Sequence, residues 1–152
     1  MPSNFKYRSG ISSAGAYQVS GVPYMSGSNA TIAGTNTVSY KVEFPYITQW
    51  ITIENRGSNA LRIGFSDFGV RGLSGPDPHD KTSYFVLDPK ADDDGDSHDH
   101  RITLNVRVKD MYLSCDHATN TTTAQIAAGV TMVPREELTG TYDNWSGSAG
   151  VG

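Results

Sequence analysis

Residues 101–113 read Arg-Ile-Thr-Leu-Asn-Val-Arg-Val-Lys-Asp-Met-Tyr-Leu, and this stretch decides the fold class. Ile102, Leu104, Val106 and Val108 alternate with Arg101, Thr103, Asn105 and Arg107. That period of two lays one side of a strand on a core and leaves the other in water. At Lys109-Asp110 the phase slips, because Met111 and Leu113 are apolar out of step with Val108. A one-residue slip sends every later side chain to the opposite face, so a bulge or a corner between two sheets is expected there.

The same pattern recurs on both sides. Val38, Tyr40, Val42 and Phe44 alternate with polar residues, and after Pro45 the β-branched Ile47, Ile51 and Ile53 continue around a Trp50 expected to be buried. A turn at residues 55–59 leads to Leu61, Ile63 and Phe65, a short apolar run follows at 83–87, and small residues around Gly129 fill 122–133. Residues 68–78 hold too much Gly and Pro for a sheet interior and read as a surface loop. The one helix-like turn is 134–138. Seven or eight short strands without a helix of about ten residues predict an all-β, antiparallel β-sandwich that is jelly-roll-like.

Composition sets the limits. A chain of 152 residues with 37% hydrophobic and 18% charged residues suits one domain with its own core, spanning 1–152. The 12 basic residues are scattered and the net charge is −4, so no phosphate-binding stripe is present and nucleic acid is not an expected partner. No run of about 18 apolar residues suggests a membrane span, and residues 1–19 lack the apolar centre of a secretory signal, so synthesis in the cytoplasm is expected. Cys115 is the only cysteine and reads as a buried thiol. The sequons at Asn29, Asn120 and Asn144 read as chance triplets in a Thr- and Asn-rich chain.

The ends differ from the middle. Residues 1–36 are expected to form an extended N-terminal arm, with a β-like island at 16–20 and a turn at Gly21-Val22-Pro23. Residues 138–152 read as a Gly/Ser-rich C-terminal tail around an isolated Trp145. Aromatic side chains in segments that bury little of their own surface need a partner, so Phe5, Tyr7, Tyr17, Tyr24 and Trp145 are the interface candidates.

The polar clusters are less specific. Asp92, Asp94 and Asp96, in the acidic tract 88–100, suggest calcium, but Ser97 stands where a calcium loop has glycine and Thr103 where it has the closing glutamate. A solvated acidic loop is the simpler expectation. His98 and His100 are two apart and would share one face of a strand; with His79, Asp80, Asp116 and His117 they form the only transition-metal candidate. Cys115 near His117 lacks an oxyanion-hole loop, and the glycine-rich runs at 64–75 and 146–152 lack the residues that close a phosphate loop. No catalytic residue, and no cofactor other than calcium at the acidic loop, is expected.

Several segments carry a resemblance: Phe5-Lys-Tyr-Arg-Ser-Gly10, Gly15-Ala-Tyr-Gln-Val-Ser-Gly-Val-Pro-Tyr24, Val42-Glu-Phe-Pro45, Ile63-Gly-Phe-Ser-Asp-Phe-Gly-Val-Arg-Gly72 and Trp145-Ser-Gly-Ser-Ala-Gly-Val-Gly152. In this order the chain resembles small β-sandwich virion structural proteins, of the capsid decoration, cement or minor capsid type, from aquatic tailed phages and large DNA viruses. The resemblance implies a jelly-roll subunit on the capsid surface whose partners are copies of itself and the major capsid protein. It carries no catalytic residues, and the acidic stretch 91–100 departs from its pattern. Two other classes stay open: a carbohydrate- or receptor-binding sandwich assisted by calcium, and a metal enzyme of the double-stranded β-helix type using His98 and His100.

Overall fold

The structure is a computed structural model that describes residues 10–12, 14–17, 22–27, 31–72, 83–90, 99–140 and 149–151. Its strands are β1 (Val22–Gly27), β2 (Tyr40–Glu43), β3 (Tyr46–Asn55), β4 (Leu61–Gly64), β5 (Tyr84–Leu87), β6 (Arg101–Leu104), β7 (Asp110–Cys115) and β8 (Ala124–Pro134). They form two antiparallel sheets, ordered β1-β8-β3-β6 and β2-β7-β4-β5. The pairings nest: β1 with β8, β2 with β7, β3 with β6 and β4 with β5. The chain is thus a long hairpin, four strands against four, rolled until β8 also meets β3 and β7 also meets β4. That wrap is a jelly roll.

The phase slip at Lys109-Asp110 is where the chain leaves one sheet for the other, since β6 and β7 lie in different sheets. Thr48 holds this corner from inside the fold. Its hydroxyl donates to the Val106 carbonyl at 2.7 Å and accepts from the Val108 amide at 3.0 Å, while its own amide donates to the Val108 carbonyl at 3.0 Å. The β3–β8 register shifts on both sides of Thr48, so the strand is irregular where it takes on this second partner.

Between the sheets, Ile51, Ile53, Ile126, Ala128 and Val130 of one layer face Val42, Leu61, Ile63, Leu87, Met111 and Leu113 of the other, all buried, with Phe44 beside them. A second, smaller cluster of Ile47, Val133 and Leu138 is covered by Ile11 and Tyr17. Period-two strands pack this way because alternate side chains share a face.

Several expectations are corrected. Within the span 1–36 expected as an extended arm, Val22 and Pro23 open strand β1 rather than a turn, and Ile32 is buried and bridged to Thr122. Residues 14–17 form a 3-10 turn where the β-like island was expected to begin. Trp50 is half-buried on the outer side of its sheet, because Ile51 and Ile53 take the inward positions. Val38 is exposed, since β2 begins only at Tyr40. The tail also returns to the fold, where Val151 bridges to Val108.

The loop expected at 68–78 opens instead with a short helix, α1 (Asp67–Arg71). Ser66 caps it by accepting from the Gly69 amide at 3.0 Å, and Gly72 ends it at φ 70°, a conformation that glycine adopts without strain. Asp67 ties α1 to the chain ahead of β2, accepting from the Ser39 amide at 2.9 Å and hydroxyl at 2.6 Å, and from Arg71 at 3.2 Å. Burial pushes the Asp67 carboxyl up, but the bonds from Ser39 and Arg71 outweigh it and hold the group below its ordinary value. A depressed acid stabilises the fold above its unfolded pKa, about 4, and that contribution is lost as pH falls through the folded value. Asp67→Asn is therefore expected to lower the urea midpoint at pH 7, with the gap to wild type closing by pH 2–3. An equal gap at both pH values would remove the carboxylate from the explanation.

Candidate functional site

The interface candidates divide. Tyr24 stands on β1, opposite Ala128, with its ring edge-on to Phe44 at 5.1 Å and 76°. Burial, then Tyr40, raises its hydroxyl pKa. Tyr17 packs on the Ile47, Val133 and Leu138 cluster; its carbonyl accepts from Gln49 and the Arg107 guanidinium lies 5.4 Å from its ring centre. The Tyr17 hydroxyl is buried and has no hydrogen-bond partner among the described residues. Both rings thus pack on their own chain, which corrects their placement on a free arm. Phe5, Tyr7 and Trp145 lie outside the described residues.

Of the metal candidates, Asp92, Asp94, Asp96 and His98, with His79 and Asp80, also lie outside the described residues. His100 precedes β6, and its carbonyl accepts from the Asn55 amide at 2.7 Å. His117 is in the turn between β7 and β8, where Nδ1 accepts from the amides of Thr119 and Asn120, both at 3.2 Å. Among the described residues no three His, Cys, Asp or Glu side chains converge as metal ligands would. Cys115 is buried, and its thiol pKa is raised by that burial and by Asp116. A buried thiol with a raised pKa is a poor nucleophile.

What the fold does present is surface. At one edge of the β2-β7-β4-β5 sheet, Val38 (78% exposed) and Tyr40 flank Ser39, whose bonds to Asp67 bring the exposed Phe68 into the same region. At the opposite edge, β5 exposes Phe85 (52%) and Val86 (36%). Lys41, Glu43, Asp110 and Arg135 form a linked charge cluster beside β2, with Lys41 2.7 Å from Glu43 and Arg135 2.7 Å from Asp110. The hydrogen bond from Lys41 lowers the Glu43 pKa.

The other sheet carries a shallow groove of about 310 Å³ on its outer side, lined by Met25 and Gly27 of β1, Thr52 and Glu54 of β3, and Gln125 and Ala127 of β8. Met25 is 77% exposed at its rim. Glu54 is held by Arg56 at 2.9 Å, a bond that lowers its pKa, and Thr52 bonds Thr103 at 2.8 Å. The sequence carried no sign of this groove, because it is lined by β1, β3 and β8, which lie far apart in the chain and side by side in the sheet. No family model, curated protein or solved structure matches the chain.

Proposed function

We propose that this protein is a non-enzymatic virion structural subunit that decorates or cements a capsid by packing against copies of itself and against the major capsid protein. One observation carries the reading: a jelly roll filled by its own apolar side chains, which nonetheless leaves Val38, Tyr40, Phe85 and Val86 exposed along two edges of a single sheet. Jelly rolls recur in viral capsids, lectins and cupins. Apolar surface on edges is what a subunit offers to a neighbour. The fold is compatible with several functions, so assembly has to be measured directly. Sedimentation equilibrium of the full chain is expected to show reversible self-association in the micromolar range; a monomer at every concentration would contradict self-packing.

A second reading has its own observation. The groove over Ala127 combines an ionised carboxylate, an amide and hydroxyls with the apolar Met25, a mixture suited to a short saccharide. Glycan-array binding that disappears in Glu54→Ala would favour that reading.

A further inference from the structure

We infer that the open edge of strand β2 is the seam through which two copies of this chain pair, antiparallel and strand to strand; this rests on the self-packing reading above. β2 is hydrogen-bonded to β7 on one side and lies at the edge of its sheet on the other. The Phe44 amide, next in the β2–β7 register after Glu43 opposite Asp110, donates to the Lys109 carbonyl at 2.9 Å. Backbone groups alternate in direction along a strand, so Val42, like Phe44, turns its amide and carbonyl toward β7. Those of Lys41 and Glu43 therefore point to the open side. Both side chains are well exposed, 39% and 57%, while Val42 between them is buried in the core. The other edges are less suited: β1 contains Pro23, β6 carries Arg101 with no acid, and β5 ends at Leu87, whose carbonyl accepts from Asn55.

Charge complementarity selects the occupant and the register. A two-fold axis perpendicular to the sheet keeps the same face outward in both copies, which requires residues of like parity to pair. Centred on Val42, it sets Lys41 of each copy directly opposite Glu43 of the other. These are also the residues whose backbone groups face the seam, so each Lys41–Glu43 couple exchanges both of its N–H···O bonds. Charge on an edge repels most strangers, yet a cation and an acid spaced two apart are complementary to their own copy. Within one copy Lys41 lies 2.7 Å from Glu43 and 3.5 Å from Asp110. On pairing it keeps Asp110 and exchanges its own Glu43 for that of the second copy. The ladder is bounded at both ends, because Ser39 would stand opposite Pro45. The Ser39 amide is already bonded to Asp67 at 2.9 Å, and Pro45 has no amide to give. Exposed Val38 and Pro45 are then the first apolar neighbours beyond the paired residues.

The test uses light scattering on the full chain at graded concentrations, with each variant checked by thermal melting. Lys41→Glu sets acid against acid across the axis and Glu43→Lys sets cation against cation, so each alone is expected to weaken dimerisation roughly tenfold or more. An equimolar mixture of the two variants is expected to recover the wild-type level, because the mixed pair places opposite charges together on both sides of the axis. Phe85→Ser, on the β5 edge, is expected to change nothing. A wild-type dimer that persists in both single variants, a mixture that stays monomeric, or a dimer lost in Phe85→Ser would overturn the β2 seam while leaving self-association intact. A monomeric wild type would overturn both. Should a variant fail to fold, the wild type decides: exposed charge pairs are screened by salt, so dimerisation is expected to weaken several-fold between about 0.01 M and 1 M ionic strength, and no weakening would overturn the seam.

Discussion

Asn55→Ala is expected to cost about 3 kcal/mol or more, a fall in melting temperature of roughly 8 °C. Asn55 ends β3 and is fully buried. Its amide nitrogen donates to the Asn59 and Asp88 carbonyls at 2.9 Å each and to the Leu87 carbonyl at 3.4 Å. Its oxygen accepts from the Gly57 amide at 3.1 Å and the Thr122 hydroxyl at 2.8 Å. One side chain therefore joins the 55–59 turn, the end of β5 and the approach to β8. Truncation strands these groups without water, and each unpaired buried group costs about 1–3 kcal/mol. Urea unfolding reads the loss directly. A loss below about 1 kcal/mol would mean the two sheets are closed at this end by something else.

Gly34→Ala is expected to cost about 3 kcal/mol for a different reason, the lack of room for a methyl group. A Cβ on Gly34 would sit 2.3 Å from the His117 carbonyl oxygen and 2.5 Å from that of Ala118. Neither oxygen can retreat cheaply, because they accept from the Thr35 amide at 2.9 Å and the Asn36 amide at 3.2 Å. Widening the gap would break the bridge that carries the chain between β1 and β2. Gly27→Ala is the control. No atom lies within 4 Å of that position, so the change is expected to stay within about 1 kcal/mol of wild type or to stabilise through the unfolded chain. Equal effects at the two glycines would show that crowding at Gly34 is not the cause.

The strands that sequence reveals are the ones with strict alternation. Ile102 and Leu104 in β6, and Ile51 and Ile53 in β3, declare their inward faces, and the slip at Lys109-Asp110 marks the sheet change. β1 is hidden for a physical reason. Its inward set is Val22, Tyr24 and Ser26, and its Pro23 and Gly27 look like turn residues, yet proline is tolerated on an edge that needs no further amide. α1 escapes notice because five residues are too few for a 3.6-residue period, so Ser66 and Gly72 are its only local signs. β5 reads only as a short apolar run, which does not say which of its faces is covered; in the fold Leu87 is buried while Phe85 and Val86 stay open.

The aromatic residues show the other limit of sequence. Composition identifies Tyr17 and Tyr24 as needing partners, but only three dimensions reveal that Phe44 and the Ile47 cluster provide them. On the proposed reading, the surface for a partner then includes the exposed sheet edges at Val38, Tyr40, Phe85 and Val86.

Quantitative mass spectrometry of purified virus particles from the source of this chain tests the central claim most directly. A decorating or cementing subunit is expected at a fixed ratio to the major capsid protein from one preparation to the next, and should remain with the particles through density-gradient banding. Its absence from banded particles, with the chain found only in the soluble fraction, would contradict the account.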